Sequence, residues 1–488
     1  MSDIDFSAIL PFVVLLCGSL TVLLVGTFFG KERTFSRVCL SSAYCVLAWL
    51  TSLEYVYGNH TALGGFLRVD SFSFVLFGVI LLGSAMTLLL SQGTFRDQRL
   101  DASVDFDVLM LLATAGAMVM VASQHLIITF LGIELLSVAV YALCAGARNE
   151  KASAESAMKY FILGAFSSAF LLYGILLIYA STASMQLQDI ALAVSSSSPK
   201  DILLIGIGLV IFGFGFKVSL IPFHFWTPDV YQGAPTTVSG YMAVVVKVAA
   251  FGAFLRLMST AFGNISGAWT DLFWTLSVIT MVLGNLMALR QESLKRMLAY
   301  SSIAHAGYVL MGFLVMDASG GGEAAVFYLL AYSLMTLIAF GVALHATAGS
   351  ENQYDNDKIE ALRDLGWSNP LLALVMTVSM LSLAGIPPLV GFVGKFYLIS
   401  AVIKGGYIGL AIIAVLSSLI SLYYYLRVVV VMYFLPGTEG KSVVRLDGNE
   451  LLLSHRVVLA IAALGTIYFG LFSSSYIEYA RMAVKSLT

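Results

Sequence analysis

The sequence predicts an all-α, polytopic membrane protein of about fourteen transmembrane helices. Of its 488 residues, 59% are hydrophobic and only 11% are charged, and the mean hydropathy is +0.92. This composition is far from the balance of a soluble domain. The apolar residues also fall into long stretches separated by short loops, and no loop is long enough to hold a soluble catalytic domain.

About 20 apolar residues cross a bilayer as a helix, and this length predicts fourteen spans in the sequence. The candidate spans lie near residues 7–29, 35–57, 70–91, 105–122, 125–146, 156–180, 201–226, 236–261, 270–289, 301–317, 323–348, 369–402, 406–434 and 454–474. The boundaries between the fourth and fifth spans and between the tenth and eleventh are the least sharply marked.

Lys and Arg are distributed unevenly between the loops. Loops after odd-numbered spans carry Lys31, Arg33, Arg37, Arg96, Arg99, Arg148, Lys151, Arg290, Lys295, Arg296, Lys358, Arg363, Lys441, Arg445 and Arg456. Loops after even-numbered spans carry little beyond Arg68, Lys200 and Lys404. Because cytoplasmic loops are enriched in Lys and Arg, we expect the odd loops in the cytoplasm and both termini on the non-cytoplasmic side.

A faint internal repeat relates the two halves of the chain. SAMKYFILGA (156–165) matches EAAVFYLLAY (323–332), and KVSLIPFHF (217–225) matches SLAGIPPLV (382–390). Five spans fit in this period, and an odd number of helices inverts a repeat in the membrane, as in many transporters. We therefore predict N-terminal helices in 1–104, two inverted five-helix repeats in 105–262 and 263–435, and a last helix in 436–488.

Ionisable residues lie near the middle of several apolar spans. Glu134, Lys217, Lys247 and Lys395 each cost about 2.5–3.5 kcal/mol to insert at that depth. A structural ion pair with Glu134 would account for one lysine and leave the other two unexplained. Because an amine away from water can gain and lose its proton, the set of four residues favours a proton relay.

Three further residues are secondary candidates for the relay. Lys159 lies only a few residues into its span, where a lysine can also extend to the membrane interface. His224 follows a proline, and His305 lies within the tenth span in SSIAHAGY, although a lone histidine is more often structural. We expect three other histidines, His60, His125 and His455, to lie at the membrane interface.

Prolines interrupt one span in each half of the chain. Pro222 follows Lys217, and the pair Pro387 and Pro388 precedes Lys395. Proline inside a helix removes a hydrogen bond and clashes with the preceding turn. A simple kink is one interpretation, but a break that recurs beside a lysine in both halves favours a functional role, and we predict a broken helix in each repeat.

Several other functions are not supported by the sequence. The four cysteines, Cys17, Cys39, Cys45 and Cys144, form no CxxC pair, and the histidines have no metal-binding spacing. We therefore expect no metal and no cofactor-binding residues in this chain. The net charge of −2 and the absence of a basic cluster argue against nucleic acid as a partner.

Four segments together resemble the antiporter-like membrane subunits of respiratory complex I, the NADH:quinone oxidoreductase. They are FKVSLIPFHFWTPDVYQGAPT, FLGIELLSVAVY, YSSIAHAGY and GIPPLVGFVGKFYL. The resemblance extends over essentially the whole chain. The lysine in GFVGKF and the absence of a long C-terminal lateral helix favour the N-type branch of the family.

This resemblance implies a proton-translocating subunit with fourteen helices and two inverted repeats. It assigns the family's relay glutamate to Glu134, the broken-helix lysine to Lys217, the central lysine to Lys247, the terminal lysine to Lys395, the linking histidine to His224 and the modulating lysine to Lys159. Such a subunit belongs to an enzyme but contains no redox centre itself. NADH, FMN, iron–sulfur clusters and quinone are then expected in other subunits of the complex.

The resemblance further implies other membrane-arm subunits and the lipid bilayer as partners, in a bacterial-type inner membrane. Three alternatives remain open from the sequence. The chain fits a subunit of a multisubunit cation/proton antiporter or of an energy-converting membrane hydrogenase. A structural scaffold whose buried charges form static pairs is the third.

Overall fold

A computed structural model describes residues 6–28, 34–92, 104–196, 201–316, 319–347, 357–436 and 451–487. Among these residues nearly all regular structure is helical, and the only strands form one two-stranded antiparallel sheet. Twelve stretches of the described helices are long and apolar enough to cross a membrane. The prediction of an all-α, polytopic membrane protein is therefore confirmed.

The elements follow one another in three groups. The first contains α1 Phe6–Phe28, α2 Thr34–Thr51, β1 His60–Ala62, β2 Leu67–Val69 and α3 Ser71–Ser91. The second contains α4 Val104–Ala122, α5 Leu126–Cys144, α6 Lys151–Thr182, α7 Leu187–Ser196, α8 Asp201–Val218, α9 Trp226–Gly233, α10 Thr236–Tyr241 and α11 Lys247–Phe262. The third contains α12 Thr270–Leu289, α13 Leu294–Phe313, α14 Gly321–Thr347, α15 Leu365–Ser368, α16 Pro370–Ala384, α17 Val390–Lys404, α18 Ile408–Phe434, α19 Leu453–Leu471 and α20 Ser474–Lys485.

Two of the predicted spans are not among the twelve apolar stretches. One is the broken pair α16 and α17, and the other is α13, which begins at Leu294 rather than near residue 301. The charges in the first turn of α13 made this region look like a loop. In the structure both cations have partners, because Lys295 Nζ donates to the Ala234 carbonyl at 2.9 Å and Arg296 pairs with Asp229 at 2.6 Å. The helix can therefore start among its charged residues.

The β-hairpin joins several loops at one end of the helical bundle. β1 and β2 pair antiparallel, and isolated bridges connect Leu67 to Ser123 and His125 to Gln186. The loops before α5 and α7 therefore meet the hairpin at the same place, which we call the hairpin end. The sequence did not predict the hairpin, because each strand is only three residues long.

The C-terminal helix α20 also reaches the hairpin end, and it too was not predicted. Arg68 of β2 donates to the Ser486 carbonyl at 2.8 Å, and Arg481 pairs with Glu323 at the start of α14. A twelve-residue helix that carries charges gives no hydropathy signal for a span.

The side of the membrane on which the hairpin end lies stays a prediction. Of the loop residues on which that prediction rests, several lie outside the described residues: Lys31, Arg33, Arg96, Arg99, Lys200, Lys441 and Arg445.

Two helical segments form the centre of the molecule. The membrane-spanning windows of Thr236–Ala268 and Gly321–His345 are wholly buried, whereas those of α6 and α19 are each only 33% buried. One π-helical turn, Met242–Val246, joins α10 to α11 within the first of these segments. Polar side chains on the central helices are therefore shielded from lipid by the rest of the chain.

Glycines allow the helices to cross closely in both halves of the chain. A Cβ added at Gly116 of α4 would lie 2.7 Å from the Leu136 backbone nitrogen of α5, and one at Gly132 would meet the α4 backbone at the same distance. Gly284 and Gly307 have the same role between α12 and α13. In the predicted repeat, α12 and α13 correspond to α4 and α5, so the same close crossing occurs in both halves. The repeat itself and the domain boundaries stay predictions.

A buried ion pair connects the beginning of α3 to the end of α11. The two terminal guanidinium nitrogens of Arg256 donate to the Asp70 carboxylate, at 2.7 and 3.0 Å, and the side chains are 1% and 0% exposed. Ser73 adds a third contact at 2.8 Å. Bidentate geometry of this kind is the strongest form of the arginine–carboxylate interaction.

We expect Asp70→Asn to destabilise the protein, because the guanidinium of Arg256 would stay buried without its counter-charge. Breaking a buried pair in this way costs about 3–5 kcal/mol. Thermal unfolding of the detergent-purified protein measures the effect. Asp105→Asn is the matched control, because Asp105 pairs with Arg148 only at the exposed surface, at 3.8 Å. Equal melting temperatures for the two variants would contradict the structural role of the buried pair.

Candidate functional site

The first broken helix lies between α8 and α9. α8 ends at Val218, Ser219 has a φ of +66°, and α9 begins at Trp226. Pro222 lies in this break, and the Trp226 indole nitrogen donates to the Phe216 carbonyl at 2.9 Å, which satisfies part of the interrupted backbone. Non-helical backbone is tolerated at membrane depth only where protein encloses it or water reaches it.

Lys217 lies in the last turn of α8 and is buried. Its ammonium nitrogen donates to the Ser137 hydroxyl at 2.6 Å and to the Tyr160 hydroxyl at 3.4 Å. The same nitrogen lies 5.6 Å from the ring centre of Tyr141 and 5.2 Å from that of Tyr160. All of these groups are neutral, so the amine is held without a carboxylate.

Glu134 does not pair directly with Lys217, contrary to the static ion pair considered from the sequence. Among the described residues its carboxylate instead accepts a hydrogen bond from Ser168 of α6, and no ion pair joins it to a lysine. Glu134 precedes Ser137, which holds Lys217, by about one turn of α5, so the Cα atoms of these two residues are offset by about 4.5 Å along the helix axis. Glu134 is partly exposed, beside the exposed Leu131 and Leu135 on the outer face of α5.

Lys159 makes a different kind of contact from the three buried lysines. It pairs with Glu155 at 2.8 Å and with Asp229 of α9 at 2.9 Å, and its side chain is 41% exposed. Lys159 lies nine residues before Ser168 on α6, which places it about 13 Å along the helix axis from the partner of Glu134. In this structure it therefore fastens α6 to α9 and does not contact the buried amines.

Lys247 is the first residue of α11, directly after the π-helical turn. Its ammonium nitrogen donates to both the carbonyl and the hydroxyl of Ser302 on α13, each at 2.7 Å. Because π-helical turns occur frequently at functional sites, this position within the buried centre of the molecule is consistent with chemistry at Lys247.

The second broken helix lies between α16 and α17. α16 ends at Ala384, and Gly385 follows with a φ of +88°, a left-handed conformation that favours glycine. Pro387 and Pro388 occupy the break, and α17 begins at Val390. The backbone N–H groups of Gly385 and Ile386 still bond to the carbonyls of Leu381 and Ser382, but the last two carbonyls of α16, those of Leu383 and Ala384, are left without helical partners.

Lys395 of α17 binds these free carbonyls. Its ammonium nitrogen donates to Leu383 O at 2.9 Å, to Ala384 O at 3.2 Å and to the Ser418 hydroxyl at 2.9 Å. It also lies 5.1 Å from the ring centre of Tyr308. The C-terminus of a helix carries partial negative charge, so the break itself supplies the environment that accepts this amine.

The two candidate histidines differ in their contacts. His305 Nδ1 lies 2.6 Å from the Tyr328 hydroxyl, and its Nε2 lies 3.0 Å from the Tyr425 hydroxyl. His224 is buried, but its Nδ1 has no hydrogen-bond partner among the described residues. The sequence favoured His224 because it follows Pro222. In the structure, however, both ring nitrogens of His305 contact a hydroxyl, whereas His224 Nδ1 contacts none among the described residues.

The expected interfacial position of His455 stays a prediction, but its side chain is buried in the protein. Its Nδ1 lies 3.2 Å from His345 Nε2, and both rings are buried between α14 and α19. His60 and His125 are partly exposed at the hairpin end. Among the residues that the structure describes, no three histidine, cysteine or acidic side chains come close enough to hold a metal ion.

Sequence reasoning missed the hydroxyl groups that hold the amines. Ser137, Ser302, Ser418 and Tyr160 are residue types common in membrane helices, so nothing marks them out individually. A single signal was available for Ser137, which lies one helical turn from Glu134 and so on the same face of α5. The other partners come from helices distant in sequence and could not be found by spacing.

Known proteins share both the sequence and this architecture. The family model for the transmembrane region of NADH:quinone oxidoreductase and Mrp antiporter subunits matches residues 123–421. The chain is 41% identical to NADH-quinone oxidoreductase subunit N of Trichlorobacter lovleyi, over 99% of this chain and 97% of that protein. It belongs to the NADH-quinone oxidoreductase subunit N family.

Solved members of the wider group have the same fold. A chain of respiratory complex I from Thermus thermophilus, solved with bound aureothin, is 32% identical, with a TM-score of 0.81 and coverage of 96% of this chain and 98% of that chain. A chain of the Mrp complex from Dietzia sp. is 20% identical, with a TM-score of 0.84 and coverage of 99% and 98%. The second likeness concerns the fold alone. The resemblance read from the sequence to the antiporter-like subunit family is confirmed.

We expect Gly385→Ala to disturb the second helix break. An alanine in the left-handed conformation costs roughly 1–2 kcal/mol, and its Cβ would lie only 3.1 Å from Lys395 Cδ. The melting temperature of the purified protein should therefore fall. Gly409→Ala is the control, because a Cβ at Gly409 on α18 meets no atom within 4 Å. A melting temperature of Gly385→Ala as high as that of the control would contradict this account.

Proposed function

We propose that this chain is the proton-translocating subunit N of a bacterial NADH:quinone oxidoreductase. The relatives that it matches along its full length carry that name. The observation that carries the proposal is the row of buried amines, Lys217, Lys247 and Lys395, each held by hydroxyls or carbonyls and none by a carboxylate among the described residues. An amine with neutral partners can release its proton without breaking an ion pair.

The proposed relay consists of Glu134, Lys217, Lys247 and Lys395, with His305 and His224 as linking groups. Glu134 stabilises the protonated form of Lys217 through its charge. When a neighbouring subunit or a conformational change weakens that influence, the proton leaves Lys217 and passes towards Lys247 and then Lys395.

Pro222 and the pair Pro387 and Pro388 open the two helices, so that water and free carbonyls can exist at this depth.

Lys159 has a positioning role in this proposal. Its ion pairs with Glu155 and Asp229 hold a positive charge in the N-terminal part of α6. The pair with Asp229 also fastens α6 to α9, which begins directly after the first break. The family resemblance assigns it a modulating role, which it can exercise through α9 and not by contact with Glu134.

The energy for transport comes from other subunits. Moving one proton against 100 mV costs about 2.3 kcal/mol, and the sequence of this chain contains no nucleotide motif and no cluster or haem ligand set. NADH, FMN, iron–sulfur clusters and quinone belong to the partner subunits in this proposal. Redox chemistry there is transmitted to the relay through the membrane arm.

The partly exposed Glu134 supports a partner subunit on the outer face of α5. An ionised carboxylate at membrane depth is costly against lipid, and its neighbours Leu131 and Leu135 form an apolar surface around it. A second membrane subunit packed on this face would remove the carboxylate from lipid. In the proposed inner-membrane location, both termini of the chain lie on the non-cytoplasmic side.

A subunit of a multisubunit cation/proton antiporter is the second candidate function. The likeness of fold to a chain of the Mrp complex and the shared family model favour it. A subunit in the membrane arm of an energy-converting hydrogenase is a variant of this second candidate. Gentle solubilisation and identification of the co-purifying subunits distinguishes these assemblies, because only the proposed complex brings NADH-oxidising iron–sulfur subunits with it.

We expect Lys217→Ala and Glu134→Ala to lower proton pumping and the coupled quinone reductase activity without preventing assembly. Each change removes a charge of the relay but leaves the apolar packing of α5 and α8 in place. Proton uptake and NADH oxidation in membrane vesicles measure the effect. Lys404→Ala is the matched control, since this lysine is exposed at the end of α17.

Wild-type pumping in both relay variants would refute the proposal. Loss of the assembled complex, with normal turnover of whatever assembles, would instead favour the scaffold interpretation of the buried charges.

A further inference from the structure

An open groove, which we call the α12 groove, runs along the outer face of the last turns of α12. It has a volume of about 540 Å³ and is lined by Leu283, Leu286, Met287, Leu289, Arg290 and Gln291. The side chains of Leu283 and Leu286 are 38% and 45% exposed, so the rest of the described chain leaves this face uncovered. The groove is apolar along most of its length, and its polar side chains lie only at its end.

The polar end of the α12 groove lies at the level of the lipid headgroups. α12 has 20 residues, which make it as long as the hydrocarbon core of a bilayer is thick, about 30 Å. Arg290 is the first residue after this helix. On the adjacent helix α18, the Tyr433 carbonyl accepts a hydrogen bond from the indole of Trp367, whose side chain is 76% exposed. Tryptophans of this kind are typical of the membrane–water interface.

Two arginines lie at the polar end of the α12 groove. Arg290 lines the groove and is exposed. Arg427 of α18 donates from one terminal nitrogen to the carbonyl of Gln291, which also lines the groove, at 3.0 Å. Within the described parts of the chain neither guanidinium forms an ion pair with a carboxylate. Because an arginine has five N–H donors, most donors of these two side chains are left for an acceptor outside the chain.

The charges around the two arginines leave this end of the molecule positive. Glu292 is the carboxylate closest to Arg290 along the chain, and it is exposed. Lys358 adds an exposed cation, since its backbone bridges the residue directly after Glu292. Glu360 is already paired with Arg363 at 3.4 Å. Among the described residues at this end, the cations therefore outnumber the remaining exposed carboxylate, which favours an anion as the ligand.

We propose that the α12 groove binds one molecule of an anionic phospholipid. An acyl chain lies along Leu283, Leu286 and Met287, and the phosphate accepts hydrogen bonds from Arg290 and Arg427. Guanidinium groups suit a phosphate because their planar N–H pairs match two of its oxygens. The volume of the groove is within the usual range of ligand sites. This inference goes beyond the proposed function, because it concerns lipid recognition and not the relay.

A phospholipid fits the α12 groove better than a helix of a partner subunit does. From Leu283 to Gln291 the groove extends about 12 Å along the helix axis, from the hydrocarbon core to the headgroups. A phospholipid has its apolar chain and its anionic phosphate in that same order, whereas a partner helix would need an acidic side chain placed to meet both arginines. Basic pockets between transmembrane helices on the cytoplasmic side bind anionic headgroups in other proteins, and the loop charges predict that this end is cytoplasmic.

The test captures the occupant of the α12 groove by photo-crosslinking in the intact complex. The photoreactive residue p-benzoylphenylalanine replaces Leu286, and the complex is reconstituted into vesicles of equal parts phosphatidylglycerol and phosphatidylethanolamine. Mass spectrometry of this chain after illumination identifies what is attached, and we expect phosphatidylglycerol to be captured in clear excess. The matched control has the probe at Leu272, which is 43% exposed near the other end of α12. It should capture the two lipids in their bulk proportion.

Arg290→Gln and Arg427→Gln, each in the chain with the probe at Leu286, test the headgroup contacts. Each should lower the ratio of captured phosphatidylglycerol to phosphatidylethanolamine roughly fivefold, the effect of about 1 kcal/mol for one arginine near the membrane surface. Arg456→Gln is the matched control and should leave the ratio unchanged. It removes an exposed arginine at the start of α19, which follows α18 and so begins at the same end of the bundle. Arg290→Gln alone decides the matter if Arg427→Gln lowers stability, because the Arg290 side chain is exposed.

Three results would overturn the lipid site. One is the same ratio of the two lipids at Leu286 and at Leu272. The second is a preference for phosphatidylglycerol that is unchanged in Arg290→Gln and in Arg427→Gln. The third is capture of another subunit of the complex at Leu286, which would make the groove a protein interface. Since proton pumping enters none of these measurements, the lipid site can fail while the proposed function stands.

Discussion

Three lysine amines are buried among the membrane-spanning helices, and much of the architecture around them provides partners that carry no counter-charge. Each polar group at this depth must find its partner within the protein. The two broken helices meet this demand in part with their own backbone, since the carbonyls of Leu383 and Ala384 hold Lys395. Hydroxyls from other helices provide the remainder, as Ser137 does for Lys217 and Ser302 does for Lys247.

The ionisable groups consequently divide into two kinds by the partners they have. Asp70 with Arg256, and Asp229 with Lys159 and Arg296, form ion pairs near the ends of helices. Such pairs fix helices to one another and keep their charges. The buried amines of Lys217, Lys247 and Lys395 have only neutral partners among the described residues. Their charge can therefore change without the loss of a counter-ion, unlike that of the groups in the ion pairs.

Some of the site could be predicted from particular residues, and some could not. Lys217, Lys247 and Lys395 stand out in the sequence because a charge in an apolar span is costly and rarely accidental. The relative standing of His224 and His305 could not be judged, because it depends on Tyr328 and Tyr425, which lie on other helices. The start of α13 could not be predicted for a related reason, since Lys295 and Arg296 find their partners on distant elements.

Local features of the sequence were enough to predict that the chain crosses the membrane many times, that Pro222 and the pair Pro387 and Pro388 interrupt two helices, and which charges lie within apolar spans. These follow from local hydropathy and from the geometry of proline, neither of which needs a partner. The packing of the helices, by contrast, sets Glu134 against Ser168 rather than a lysine, Lys159 against Asp229 of α9, and Lys247 against Ser302 of α13. Those contacts join residues far apart in the chain, and only the packing of the helices brings them within hydrogen-bond distance.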